Sequence, residues 1–479
     1  MPAATPTTAA PAAPALRPVP STLPADDTFD VIVIGAGIAG CAAAHALGND
    51  GRRVLVIERD WREPDRIVGE LLQPGGVHAL ELLGLRDCID GIDGIDCHGY
   101  AVIKTNGEEV VLPYPADKQP NTGRSLHHGR LIMNLRRAAQ NAQNVTCIEG
   151  TASELVTDPK TGVNTGVLIS TKTSDKPVLA SAPLTVVADG CFSKFRKQFI
   201  SRDTVCKSHF VGFIIRDCPL PHMNHGHVVL AKPSPILLYQ IGSHETRILV
   251  DVPGKLPSIG SGEMKAYMRD FVGPQLPPAV QPSFFEALET ERFRSMPNSW
   301  LPPTRNTGEG VFLLGDIMNM RHPLTGGGMT VAFWDVVRLR DALRSVSDLS
   351  QTAVVRSRLG ALHWQRKRLS SVINILANAL YALFSAGDDP MLLQLQTACF
   401  AYFKLGGRCV STPVGLLAGL IQEPMTLIGH FFAVAIYGTF LMWIQGPFYM
   451  FPVNFVRSFV VLFKACAVIF PLIGAELRP

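Results

Sequence analysis

The chain has 479 residues, 47% of them hydrophobic, and a formal net charge of +4. That length allows two or three domains around a large core. So mild a charge, with no basic run interleaved by aromatics, excludes a nucleic-acid role. Ten scattered cysteines without CxxC spacing read as free thiols of a reducing compartment, with no disulfide framework and no zinc site.

In chain order, residues 1–28 are rich in Ala, Pro and Thr and lack the apolar core of a secretory leader; disorder is expected. "DVIVIGAGIAGCAAAHALGNDGRRVLVIERD" follows. "VIVI" reads as a strand buried on both faces. Gly35, Gly37 and Gly40 then form G-x-G-x-x-G before a small-residue helix, and a second strand ends at Glu58. This is a dinucleotide-binding unit: the glycines admit a pyrophosphate to backbone amides, and Glu58 accepts from a ribose. "PLTVVADGCFSKFRK" is a strand running into Asp189, which either returns the chain to the cofactor or only makes a turn.

Residues 205–256 alternate apolar and polar and predict an antiparallel sheet over a substrate pocket. His222, His225 and His227 cluster there as metal ligands or as a loop entering a strand; with no Cys or carboxylate adjacent, no metal is expected. "EGVFLLGD" predicts a strand ending at Asp316, and "GGGMTVAFWDVVRLRDAL" a helix with glycines at its start. A second helix N-terminus so far along the chain suits a long cofactor with a second polar part. FAD is such a cofactor. Asp316 would accept from a ribityl hydroxyl, and Gly327 and Gly328 would let amides reach the pyrimidine edge of the ring.

An apolar helical region spans about 370–403. Phe431–Val453 then carries no charge, and Ser458–Ala475 holds one Lys. Gly446, Pro447 and Pro452 break this tail, which reads as two short helices in one membrane leaflet, or else as a buried core hairpin.

"DRIVGELLQPGG" (65–76), "SKFRK", "SMPNSWLPP" and "GDIMNMRHPLTGGGMT", with "GGRCVSTPVGLLAGL" and the apolar tail, resemble the signature blocks of the squalene epoxidases, fungal members above all. The resemblance implies an α/β fold of the hydroxybenzoate-hydroxylase kind. Its discontinuous FAD-binding, Rossmann-like domain would take 29–95, 121–200 and 300–345. An antiparallel-sheet substrate domain would take 96–120 and 201–299, and C-terminal membrane-associated helices 346–479.

Carried over onto matching positions, the FAD contacts fall on Ile38, Ala39, Glu58, Arg59, Arg66, Arg136, Ala152, Asp316 and Met329. Arg130 is a second arginine candidate, and either arginine fits a surface charge as well. Ala152 stands where members often have a β-branched residue; that contact is through backbone. Tyr100 would face the pocket with Gln73 as its partner, although a core tyrosine fits the same residues. Leu71, Leu237, Tyr239, Pro323 and Leu324 would line the channel.

The implied reaction is epoxidation of squalene by O2 to (S)-2,3-oxidosqualene through an FAD C4a-hydroperoxide. Electrons would come from NADPH by way of a separate cytochrome reductase, since the chain has one nucleotide fingerprint. The implied place is the endoplasmic reticulum membrane, facing the cytosol, with lipid droplets as a second station. A prenyl-binding escort protein without activity, a geranylgeranyl-reductase-like flavoenzyme and a soluble aromatic hydroxylase are the rival readings.

Overall fold

The computed structural model describes residues 16–24, 28–305, 308–445 and 447–478. The apolar runs pair in a parallel five-stranded sheet ordered Val311–Leu313, Leu184–Val187, Val31–Ile34, Val54–Glu58, Val145–Glu149. A parallel sheet must be covered on both faces. Val31, Val33, Val54 and Val56 face the helices Ile38–Asn49, His128–Asn141 and Gly328–Arg344. Ile32, Ile34, Leu55 and Ile57 face a three-stranded sheet through Leu155, Val167 and Ile169. Both faces are therefore apolar, and the strands show no alternation.

The second large sheet has seven strands: Arg294–Trp300, Val205–Arg216, Glu245–Pro253, Ile236–Gly242, His225–Leu230, Gly99–Lys104 and Glu109–Pro113, in that order. Its strands within 205–256 pair antiparallel, as expected. One junction is parallel, His225–Leu230 against Gly99–Lys104. No hairpin joins strands so far apart in the chain, so nothing imposes the antiparallel sense. Alternation places Tyr100, Val228, Leu237, Tyr239 and Leu249 on one face. Val229, Ile236, Leu238, Ile248 and Val250 lie on the other, packed with Phe284 of helix Gln281–Thr290.

Disorder over 1–28 does not describe residues 16–24. Leu16, Val19 and Leu23 pack against the cofactor layer. Arg17 donates to the Gln140 carbonyl at 2.9 Å, and the Glu149 amide donates to the Pro20 carbonyl at 2.9 Å. These three apolar side chains and the two hydrogen bonds hold the segment to the body. Residues 1–15 and 25–27 lie outside the described residues.

Helices Thr352–Phe384, Pro390–Lys404 and Arg408–Leu417 lead to a hairpin of two more, Pro424–Gln445 and Phe451–Leu477. The tail helices are not short: they have 22 and 27 residues, long and apolar enough to cross a membrane. Pro452 starts the second helix instead of breaking it, because a first-turn residue needs no N–H partner. The turn lies at Pro447 and Phe448–Met450, and Gly446 is outside the described residues. Ala435, Val461, Ala465 and Ile469 pack inward on the other C-terminal helices. Phe440, Ile444, Phe455, Phe459, Phe463 and Phe470 are exposed.

Candidate active site

A cavity of about 1090 Å³ opens between the carboxyl ends of the parallel strands and the Tyr100 face of the seven-stranded sheet. Carboxyl strand ends are where doubly wound sheets bind ligands. The three glycines of the first turn do different work. Gly35 has φ +99°, and a Cβ there would lie 2.7 Å from the Ala188 carbonyl oxygen. A Cβ on Gly40 would lie 1.9 Å from the Gly35 oxygen, so the chain itself demands both glycines and Gly40 does not line the cavity. A Cβ on Gly37 would meet nothing within 4 Å, yet Gly37 lines the cavity. The space beside it suits a ligand.

Ile38 and Ala39 line the cavity in a first helical turn whose amides have no partner within the helix. Glu58 accepts from the Ala36 amide at 2.8 Å and from the Asp60 amide at 3.1 Å, which sets its carboxylate across the glycine turn. Arg136 is buried, with Nε donating to the Ala36 carbonyl at 3.0 Å and Nη1 to the Arg62 carbonyl at 2.8 Å. Arg59, Arg66 and Ala152 also line the cavity. Arg130 turns away, to the Ile92 carbonyl at 3.2 Å.

On the opposite wall, Asp316 and Gly328 open into the cavity beside Met329. Burial pushes the Asp316 carboxyl up, opposed first by the charge of Arg321 and then by Arg66 and Arg196. A Cβ on Gly328 would touch only Arg321 Nη1, at 3.7 Å. Gly327 points elsewhere: its Cβ would lie 2.4 Å from Ile373 Cγ2, so it serves packing on helix Thr352–Phe384. Asp189 lines the cavity with Oδ1 buried and unpartnered. An orphaned acceptor, open space at Gly37 and Gly328, and a helix start at each end fit FAD.

Leu71, Leu237, Tyr239, Pro323 and Leu324 wall the other end, with Tyr100 among them. Gln73 is buried and lies behind Tyr100, not on the cavity. Its Nε2 donates to the Tyr100 hydroxyl and, at 2.7 Å, to the Thr325 carbonyl. Its Oε1 accepts from the Tyr114 hydroxyl at 2.7 Å. The amide is thus locked on both sides, and the Tyr100 hydroxyl is held between Gln73 and the Thr325 carbonyl, to which it donates at 3.4 Å. Burial raises the Tyr100 and Tyr114 phenols above their ordinary range and keeps both neutral.

Sequence reasoning missed Tyr114. It also missed a buried ion pair in an otherwise apolar wall, Arg247 with Glu70 at 2.8 and 3.0 Å, where Tyr239 donates to Glu70 at 3.0 Å. Partners this distant in the chain leave no local signal. Arg321 was missed as well, although a cation ahead of the glycines of "MRHPLTGGG" is a local signal. The histidine cluster serves the sheet: His227 Nε2 accepts from the His222 amide at 3.2 Å and Nδ1 donates to the Leu238 carbonyl at 3.3 Å.

The family sequence model for squalene epoxidase matches residues 181–456, and that for FAD-dependent oxidoreductases matches 30–65. The squalene epoxidase of Aspergillus fumigatus is 50% identical over 93% of this chain and 93% of its own length. The chain belongs to the squalene epoxidase family. Other members are the Schizosaccharomyces pombe squalene epoxidase, 46% identical over 94% of this chain and 98% of its own, and the mouse squalene monooxygenase, 48% identical over 94% and 78%. Among solved structures, p-nitrophenol 4-monooxygenase of Pseudomonas putida superposes with a TM-score of 0.67 at 18% identity, covering 83% of this chain and 98% of that one. That likeness shows the fold of the flavin monooxygenases. As a squalene epoxidase, the chain is an FAD-dependent monooxygenase of sterol biosynthesis.

Proposed function

We propose that the chain converts squalene and O2 to (S)-2,3-oxidosqualene at the face of the endoplasmic reticulum membrane and of lipid droplets, with the catalytic body in the cytosol. Electrons come from NADPH through a separate reductase. The observation that carries this reading is the continuity of one apolar cluster. It runs from Leu71, Leu237 and Leu324 at the cavity wall to Ala435, Val461 and Ala465 on the tail hairpin. The hairpin lies along the body, with Tyr402 bonded to His430 at 2.9 Å and Lys464 paired to Asp389 at 2.7 Å. A helix sheathed in this way on one side and bearing bare phenylalanines on the other rests in one leaflet instead of spanning two. Squalene dissolved in that leaflet then reaches the cavity without crossing water.

In this reading Ile38, Ala39, Glu58, Arg136, Asp316 and Gly328 hold FAD, which when bound and reduced supplies the activation of O2. The chain's own residues do the rest. Leu71, Leu237, Pro323 and Leu324 exclude water and orient the hydrocarbon end. Gln73 positions Tyr100, whose neutral hydroxyl is the polar tip at that end. Purified full-length protein, supplied with a reductase, NADPH and squalene in vesicles, should yield the monoepoxide. A saturated product, or protein without a flavin spectrum, would overturn the proposal. Replacing Phe459 and Phe463 by Ser should weaken vesicle flotation while detergent-dispersed squalene is still turned over.

A further inference from the structure

Arg321 is a buried cation that forms no ion pair among the described residues. Its Nε donates to Asn374 Oδ1 at 2.7 Å, and its Nη2 donates to Asn319 Oδ1 at 2.7 Å. Nη1 has only the Gly328 carbonyl, at 3.5 Å. Of the carboxylates around it, Asp335 is held by Arg366 at 2.7 and 3.0 Å, while Asp316 acts on Arg321 through its charge without forming an ion pair. A guanidinium with neutral partners is costly to bury. This one lines the cavity with Asp316 and Gly328, at the helix start expected to face the pyrimidine edge of the ring. Reduced flavin carries its negative charge at that edge.

The groups that hold Arg321 lead to the tail. Asn374 Nδ2 donates to Glu476 Oε1 at 2.8 Å, and Ser371 Oγ donates to Glu476 Oε2 at 2.8 Å. Lys367 Nζ lies 3.9 Å from the same oxygen. Glu476 is the one carboxylate of helix Phe451–Leu477 and is 3% exposed. The last turn of an apolar tail helix is therefore plugged, by its charge, into the shell around Arg321.

We infer that Arg321 contacts the cofactor and stabilises its reduced, anionic form, and that Glu476 is a positioning residue holding Arg321 through Asn374. Seating of the tail then sets the reduction potential of the flavin. The inference rests on the FAD assignment.

The test is the two-electron potential and FAD content of full-length holoenzyme in detergent, titrated against a reference dye. Arg321→Met should weaken the reduced form relative to the oxidised by about tenfold, a potential lower by about 30 mV. Arg321→Lys should fall between this and the parent. Glu476→Gln should shift the potential the same way by less, with FAD retained, and should add nothing in an Asn374→Ala background. A parent-like potential in Arg321→Met, or in Arg321→Lys should the first not fold, overturns the role of Arg321. A parent-like potential in Glu476→Gln, or full additivity with Asn374→Ala, overturns the relay. Asp316→Ala serves as the control. If it keeps its FAD, the cofactor assignment itself fails. If it loses FAD while Arg321→Met is silent, only this inference fails.

Discussion

The two ends of the cavity are built by opposite means. The end proposed for the cofactor is framed by backbone, with strand termini, first helical turns and glycines that leave space where a side chain would stand, and Glu58, Arg136 and Asp316 are set around that frame. The end proposed for the substrate is lined by side chains from distant segments, Tyr100, Leu237 and Leu324 among them, with Gln73, Tyr114 and the Thr325 carbonyl holding Tyr100 from behind. A backbone site tolerates little substitution and binds one thing. A side-chain site is adjustable in shape, and its residues answer to one another.

The sharpest test of the backbone end is a pair of glycines. Gly40→Ala places its Cβ on the Gly35 carbonyl and should yield no folded holoprotein. Gly37→Ala has room within the protein and should fold with a parent-like melting temperature, while FAD binds more weakly. Equal behaviour of the two variants would show that Gly37 faces no ligand. Asp316→Ala removes an acceptor at the opposite wall. FAD content after gel filtration should fall, by an amount that reflects about 1–3 kcal/mol of lost binding.

The side-chain end should fail differently. Leu237→Trp fills the cavity wall. Squalene turnover should drop by one to two orders of magnitude, roughly the scale of overpacking a built site, with the flavin spectrum and reductase-linked reduction unchanged. Loss of flavin in this variant would mean that the two ends are not separable. Tyr100→Phe should keep FAD and slow epoxidation, and Gln73→Ala should do little more when added to it. Their coupling should be about 0.5–3 kcal/mol, as for residues in one network. Tyr114→Phe frees Gln73 Oε1 and should produce a weaker copy of the same defect.

The smallest effect expected is acid sensitivity. Burial pushes His227, on the substrate-end sheet, down to about 4, and burial with the charges of Lys367 and Arg366 does the same to His363. In the unfolded chain both take up protons near pH 6.5. Between about pH 6.5 and 4 the unfolded state binds the protons and the folded state does not, so stability falls as pH is lowered through that window and levels off below it. Melting temperature against pH should show this slope, shallower in His227→Gln. An unchanged slope would remove His227 from the account.

The contrast between the two ends is also a contrast in legibility. Strands 31–34 and 54–58, the glycine turn, Glu58 and Asp316 are readable because a βαβ unit and a strand-to-helix turn are local, and local sequence is enough to specify them. Gln73 and Tyr100 were found only through whole-block resemblance, since the bond that unites them spans separate elements. Gly327 looked like Gly328, and only the approach of Ile373 separates their roles.

By itself, the sequence determined the dinucleotide-binding βαβ unit and the apolar character of the tail, which follow from periodicity, glycine spacing and composition, while the fold class followed from the resemblance of whole blocks to a known family. Tertiary structure decided the rest. It turned the tail into long helices whose inner faces complete the wall behind Tyr100. It made strand Gly99–Lys104 a parallel neighbour of His225–Leu230. It also put Glu476 and Arg321 at two ends of one hydrogen-bonded chain. The physical reason is common to all three. Burial of apolar faces chooses which distant segments meet, and the polar groups carried along must then find partners wherever that packing leaves them.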